Sequence, residues 1–282
     1  MIRRLFFTLA LTALALGGCA APRAAWVRQG FSPACAARRL FTAAAAANAA
    51  GIDSLAFSPF GGAETGWRIY APSIALEIGT VCAPETEAFA EALAGWQAHE
   101  GIIPDGRITP DSFDRMRIVW QDRRGFVALR AKGVCPDAPP EAALVHVDED
   151  EALMAKPILV TPRTLTALRA MRRVAARDLS LRPGDPTLAV FSAFRSPGYD
   201  AERCAREGNC DGIARATCSA HRTGTALDLT LGAAPGYEVD SSAAQNRLYQ
   251  TNTPAYRWLA ANARRFGFAN YVFEPWHWEF SP

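Results

Sequence analysis

Long apolar runs are scarce in this chain, and so are histidines. Beyond the first eighteen residues no apolar run is long enough to span a bilayer as a helix. Only four histidines occur, His99, His146, His221 and His277, so imidazole chemistry has few places to sit. The seven cysteines include no Cys-x-x-Cys pair, which argues against a thiolate metal site of the usual ligand spacing. The net charge is only +2, with no basic stripe interleaved with aromatics, so nucleic acid is not an expected partner. What is abundant is apolar surface. Half of the 282 residues are hydrophobic, enough for a sizeable core in one or two domains.

Two of the four histidines fall in short motifs near the C-terminus. The first is Ser219-Ala220-His221-Arg222-Thr223-Gly224-Thr225-Ala226-Leu227-Asp228, and the second is Glu274-Pro275-Trp276-His277-Trp278-Glu279. Together they offer two imidazoles, a carboxylate ligand and a spare carboxylate. Catalytic zinc takes three N/O ligands and leaves its fourth position open. A neighbouring carboxylate can accept a proton from water at such a centre. Thr225 to Leu231 is β-branched and aliphatic and reads as a strand carrying Asp228, with His221 upstream across a turn at Gly224. Phe268 to Phe273 reads as a neighbouring strand. Pro275 lacks an N–H and disfavours helix at Glu274, so the chain should bend there and bring Glu274 and His277 to one side. His99 and His146 have no comparable neighbours.

These motifs resemble the S-x-H-x-x-G-x-A-x-D and E-P-W-H signatures of VanY-like D-alanyl-D-alanine carboxypeptidases, within the lysostaphin, D-Ala-D-Ala metallopeptidase and hedgehog fold group. The resemblance runs from about Pro157 to the C-terminus and includes Ser192-Ala193-Phe194-Arg195-Ser196. It implies one zinc ion on His221, Asp228 and His277, with Glu274 as general base. It further implies that Arg195 contacts substrate and the developing oxyanion, with Ser219 and Trp276 near the bound substrate. The expected reaction is release of the terminal D-alanine from peptidoglycan stem peptides. A peptidoglycan endopeptidase using the same site, and a non-catalytic wall-binding lipoprotein, are the alternatives. The departures touch the cleft walls. Ala220-His221-Arg222 replaces the family's Glu-His-Gln, Phe194 replaces a tyrosine, and Pro197 to Cys218 contains no glutamine. The connection from Tyr271 to Glu274 is also short. None removes a ligand or the base, so substrate choice is affected more than chemistry.

Residues 1–18 have a charged start at Arg3 and Arg4 and an apolar run from Leu5 to Leu16, the layout of a signal peptide. Leu16-Gly17-Gly18-Cys19 resembles a bacterial lipobox, which implies a lipid anchor on Cys19 and a membrane as partner. An ordinary cleaved signal is the alternative. Either places the protein outside the cytoplasm, in the cell envelope or periplasm. The six remaining cysteines are then disulfide candidates. Sequence alone does not choose among their pairings. The expected set is Cys35–Cys82, Cys204–Cys210 and Cys135–Cys218.

Residues 19–33 read as a tether and 34–131 as an N-terminal accessory region. Ala34 to Ala50 is alanine-rich and should be helical, with Gly51 as its end. Trp67 to Tyr70 and Ile74 to Ile78 have strand-like composition around Pro72. Within 84–124, Phe89, Leu93 and Trp96 share a helix face, as do Phe113, Met116 and Trp120, and Thr109-Pro110 marks a helix start. The intervening Asp105-Gly106-Arg107-Ile108-Thr109-Pro110 turn resembles that of peptidoglycan-binding helical repeats. Residues 132–151 are proline-rich and then acidic and read as a linker, with Asp148 to Glu151 a solvated face. Residues 152–282 read as the zinc peptidase domain. There Pro157 to Val160 is a strand, and Thr161-Pro162 starts a helix with a solvated arginine face and apolar positions running to Leu179. Thr187 to Phe194 is a buried strand delivering Arg195. Thr253-Pro254 starts a last helix that ends at Gly267. The expected class is α+β: a small antiparallel sheet with packed helices carrying a zinc site, preceded by a smaller, mainly helical domain.

Overall fold

The computed structural model describes residues 35, 36, 39–153, 157–178, 180, 181, 188–208, 210 and 218–281. The targeting segment, Cys19, the tether, Leu179 and Thr187 lie outside the described residues. In the first half, α1 (Thr42–Gly51) leads into a two-stranded antiparallel ribbon of β1 (Ala56–Phe57) and β2 (Glu64–Thr65). Then follow α2 (Ala71–Glu77), α3 (Glu87–His99), α4 (Pro110–Asp122) and α5 (Gly125–Ala131). Gly51 is the last residue of α1 rather than its stop.

The expected strands around Pro72 are absent. Residues Arg68–Tyr70 form a 3-10 turn, and α2 follows with Pro72 in its first turn. The apolar residues there repeat at helical rather than alternating spacing: Trp67, Tyr70 and Ile74 are all buried in one core. That core also takes Phe89, Leu93, Phe113, Met116 and Trp120, so the aromatics of α3 and α4 are packing residues. The Asp105-Gly106 turn is stitched into it. Gln97 Oε1 accepts from Gly106 N at 2.8 Å, and Asn48 Nδ2 donates to Gly106 O at 2.9 Å. Gly106 has φ 70°, and a Cβ there would stand 2.5 Å from the Ala90 carbonyl oxygen. No other residue fits that approach.

The second half opens with β3 (Val145–His146) paired antiparallel to β4 (Leu159–Val160), then α6 (Pro162–Ala175). Next come β5 (Val190–Ser192), α7 (Pro197–Glu207), β6 (Ala226–Leu229), α8 (Ala244–Thr251), α9 (Pro254–Asn262), β7 (Phe268–Asn270) and β8 (His277–Phe280). The last four strands form an antiparallel sheet in the order β5-β6-β8-β7. Helices α4, α6, α7 and α9 each start with a Thr or Ser cap followed by proline. The side-chain oxygen satisfies an early N–H, and proline's missing donor costs nothing at that position. Gly267, at φ 84°, closes the 3-10 turn after α9 as expected.

The sheet's register divides its two faces. Leu227 pairs with Trp278, and both belong to the second core with Leu168, Met171, Leu229 and Leu259. Asp228 pairs with His277 on the other face. In the acidic run before α6, Asp148 to Asp150 are exposed as expected, while Glu151 is buried. Arg169 on α6 bonds Glu151 at 2.9–3.1 Å and Asp148 at 2.5 Å, and Arg172 donates to the Asp150 carbonyl. The acidic run and the arginine face of α6, both largely solvated, thus also pair with each other.

The two halves are packed together. Arg247 bridges Glu64 at 2.7 Å, Ser73 Oγ lies 2.8 Å from Tyr256 Oη, and the Phe60 ring meets Tyr271 and Phe273. Val272 is buried in the first half's core. Cysteines pair as Cys35–Cys82, Cys135–Cys218 and Cys204–Cys210.

Candidate active site

Strand register brings the two motifs together. Asp228 on β6 and His277 on β8 are direct cross-strand partners, so their side chains leave the sheet on the same face. His277 Nδ1 lies 3.0 Å from Asp228 Oδ1. His221 enters from the 3-10 turn Ala220–Thr223, capped by the Ser219 hydroxyl and closed by Gly224 at φ 68°. Its Nε2 lies 3.1 Å from His277 Nδ1 and 3.3 Å from Asp228 Oδ2. Each imidazole spends its other nitrogen on an orienting partner. His221 Nδ1 donates to the Ala193 carbonyl at 2.6 Å, and His277 Nε2 donates to Glu279 Oε1 at 3.1 Å. Both remaining nitrogens therefore face Asp228. Among the described residues, these three form the one cluster whose donor atoms, all within 4.8 Å of one another, could hold a metal ion.

Glu274 sits in the turn between β7 and β8. Its amide donates to Tyr271 O at 2.7 Å, and its carbonyl accepts from His277 N at 2.9 Å. Asn270 Nδ2 donates to the His277 carbonyl and pins the same turn. The bend expected at Pro275 is thus present, and it places Glu274 and His277 on one cleft. Arg195 follows β5 and is clamped on three sides. Its Nε donates to Asp200 at 2.8 Å, and its terminal nitrogens donate to the Ser192 and Ser219 hydroxyls at 3.2 Å. One terminal nitrogen also lies 3.7 Å from Asp228.

Arg195, Ser219, His221, Asp228, Glu274, Trp276 and His277 all border one cleft of about 260 Å³. His99 and His146 do not. Trp276 is mostly committed to the sheet core, and Ser219 to holding Arg195 and the His221 amide.

The electrostatics suit cation binding. Burial opposes the Asp228 charge, yet His221 and His277 hold its carboxyl well below the usual range. Burial and the nearby Arg195 charge push His221 down to about 4. Burial also works against a charged His277, but Asp228 and Glu279 outweigh it and raise it to about 9. Asp228 is thus the anionic centre of the cluster, facing both imidazoles. Burial pushes Glu274 up to about 7, with Asp228 adding to the rise and His277, Arg195 and Arg124 opposing it.

Three residues at the site escaped sequence reasoning. Asp200 follows from the Ser196-Pro197 cap, a signal as plain as the other Thr-Pro starts. Glu279 could have been found by strand alternation, two residues after His277. Arg124 carries no local signal, because it arrives from the other half of the chain.

Comparison with known proteins bears on this geometry. Residues 158–282 match the family model "VanY: D-alanyl-D-alanine carboxypeptidase". That stretch, somewhat less than half of the chain, is similar to VanY-type domains. It contains the whole His221/Asp228/His277 cluster, Glu274 and Arg195, and begins after Arg124. Among solved structures, the chain is similar to the LD-carboxypeptidase LdcB, described by its structure as revealing the molecular basis of peptidoglycan recognition. Identity is 21%, the TM-score is 0.36, and the match covers 51% of this chain and 72% of that one. No curated protein matches.

Proposed function

We propose that this protein is a zinc-dependent carboxypeptidase that removes the terminal D-alanine from peptidoglycan stem peptides. The observation that carries this is the convergence of two oriented imidazoles, one carboxylate, a separate high-pKa carboxyl and a clamped arginine on one cleft. The donor set fits zinc: two nitrogens and one oxygen from the protein, with the outer nitrogens already satisfied. His221 through Nε2, Asp228 and His277 through Nδ1 would hold the ion. When bound there, zinc would lower the pKa of a water and polarise the scissile carbonyl.

The chain's own residues supply the rest. Glu274 as carboxylate takes the proton of the attacking water and returns it to the leaving amine. Arg195 has three of its N–H groups engaged by Asp200, Ser192 and Ser219. Its remaining donors are free to meet the developing oxyanion or the substrate carboxylate. Because the clamp fixes the guanidinium beforehand, little reorganisation accompanies the reaction. Arg195→Met should therefore lower kcat by about 100- to 1000-fold while metal content is unchanged. Parallel turnover and metal analysis would check this.

The setting proposed is the cell envelope. Its support is the signal-like segment 1–18, the lipobox-like Cys19 and three disulfides, which persist in oxidising compartments. No helix among the described residues is long and apolar enough to cross a membrane. Residues 34–131 would dock the enzyme on wall polymer through the module at 84–124, with 152–282 doing the chemistry.

The deciding experiment incubates soluble chain starting at Pro22, disulfides intact and zinc supplied, with purified muropeptides, and reads products by mass spectrometry. Metal-dependent loss of one terminal alanine is expected. An internal cut would make the protein an endopeptidase. Zinc uptake with no product from any wall peptide would favour a binding lipoprotein.

A further inference from the structure

The stretch similar to VanY-type domains does not hold its own third metal-ligand candidate unaided. Its His277 is oriented by Glu279, and Glu279 is held by a residue from outside the matched stretch. Arg124, just before α5, sends Nε to Glu279 Oε1 at 3.0 Å, and its Nη2 donates to the same oxygen. Its Nη1 donates to Gln121 Oε1 at 2.7 Å, and its guanidinium lies 4.1 Å from the centre of the Tyr271 ring. The Tyr271 ring in turn meets His277 edge to face at 6.1 Å. Arg124, Glu279 and His277 are all buried, so water does not substitute for any of these contacts.

We propose that Arg124 is a positioning residue for the metal site, acting through Glu279 on His277, so that the N-terminal half completes the catalytic centre. This rests on the metal-centre reading above.

The argument turns on one atom. Glu279 Oε1 accepts from both Arg124 and His277 Nε2. An arginine serving only to close an ion pair could use the other carboxylate oxygen and leave the histidine's bond alone. Here the carboxylate cannot shift without moving His277. With Nε2–H donated to Glu279, the neutral ring that would bind a metal has its lone pair on Nδ1, the nitrogen that faces Asp228 and His221. Remove the arginine, and Glu279 Oε1 loses two of its hydrogen-bond donors and keeps only His277 among the described residues. With the two arginine hydrogen bonds to Oε1 gone, that oxygen is free to rotate, and its rotation releases the tilt of His277. Outer partners of metal-bound histidines typically account for about 10- to 100-fold in affinity.

The test uses the mature chain with disulfides intact. Zinc affinity is measured by chelator competition, and the visible spectrum of the cobalt-loaded protein reports ligand geometry. Arg124→Met should weaken zinc binding about 10- to 100-fold and shift the cobalt bands. Arg124→Lys, which keeps the charge but not the planar fork, should recover part of the loss. Arg123→Met removes a neighbouring ion pair to Glu77 within the N-terminal half and should leave both readouts at wild type. Should Arg124→Met not fold, the isosteric Glu279→Gln carries the same expectation. Folded Arg124→Met with wild-type zinc affinity and spectrum would overturn this inference alone. A folded wild-type protein that takes up neither metal would overturn the metal-centre reading, and this inference with it.

Discussion

Glu274→Gln is expected to keep its metal and lose turnover by about 100- to 10,000-fold, the range spanned by positioned general acids and bases. The amide has the carboxylate's shape and cannot accept the proton. Glu274 is not among the three donors that face one another, so its replacement leaves the cluster's geometry in place. Its environment also fits the task. Burial pushes the carboxyl up to about 7, so the proton it gains can be given away again near neutrality. The active form is the carboxylate, which is lost as pH falls through that value, so activity should drop on the acid side. A cation held by His221, Asp228 and His277 favours the carboxylate and moves that acid limb below pH 7. Metal analysis beside a muropeptide assay over pH 4 to 9 (a range bracketing ordinary carboxylate and imidazole values) would check both statements. Substantial turnover in a metal-loaded Glu274→Gln protein would remove Glu274 from the mechanism.

Asp228→Ala should have the opposite signature: loss of the metal itself. Asp228 is the hub of the site, 3.0 Å from His277, 3.3 Å from His221 and 3.7 Å from Arg195. Its removal takes away the sole anionic donor of the cluster and leaves two imidazoles and a guanidinium facing one another. The guanidinium's charge, no longer balanced by the carboxylate, then repels a cation. Zinc affinity should therefore fall by more than about 100-fold, the upper end of what losing an outer partner costs. Activity should follow it down and should not return at zinc concentrations that saturate the wild type. Equilibrium dialysis followed by elemental analysis separates this variant from Glu274→Gln, where metal stays and turnover goes.

How much of this was written in the sequence depends on how far the information had to travel. His221, Asp228, Glu274 and His277 were legible because each motif is local and strand alternation supplies the rest. The Thr-Pro helix starts were legible for the same reason, and Ser196-Pro197 would have been had it been weighed equally. The strands expected around Pro72 failed because β-branched and aromatic composition was read without the spacing of Trp67, Tyr70 and Ile74. The burial of Glu151 at the end of the acidic run was missed because its partner, Arg169, lies on a helix face further along the chain. Arg124 was out of reach. No local pattern announces that a helix start in one half will meet a strand end in the other, and only tertiary packing places the two together.

The pairing of Asp228 with His277 across β6 and β8 also constrains how such a chain can change. Along β6 the residues that pack the core and the residue that faces the cleft alternate within four positions. A single residue inserted or deleted there would turn Leu227 and Leu229 toward the cleft and bury Asp228 among Met171, Leu259 and Trp278. Fold and chemistry would be lost in the same event. Substitutions can tune this strand one face at a time, but changes of length cannot. Length can change instead in the connections between strands, where the walls of the cleft can drift while the His221/Asp228/His277 cluster stays fixed.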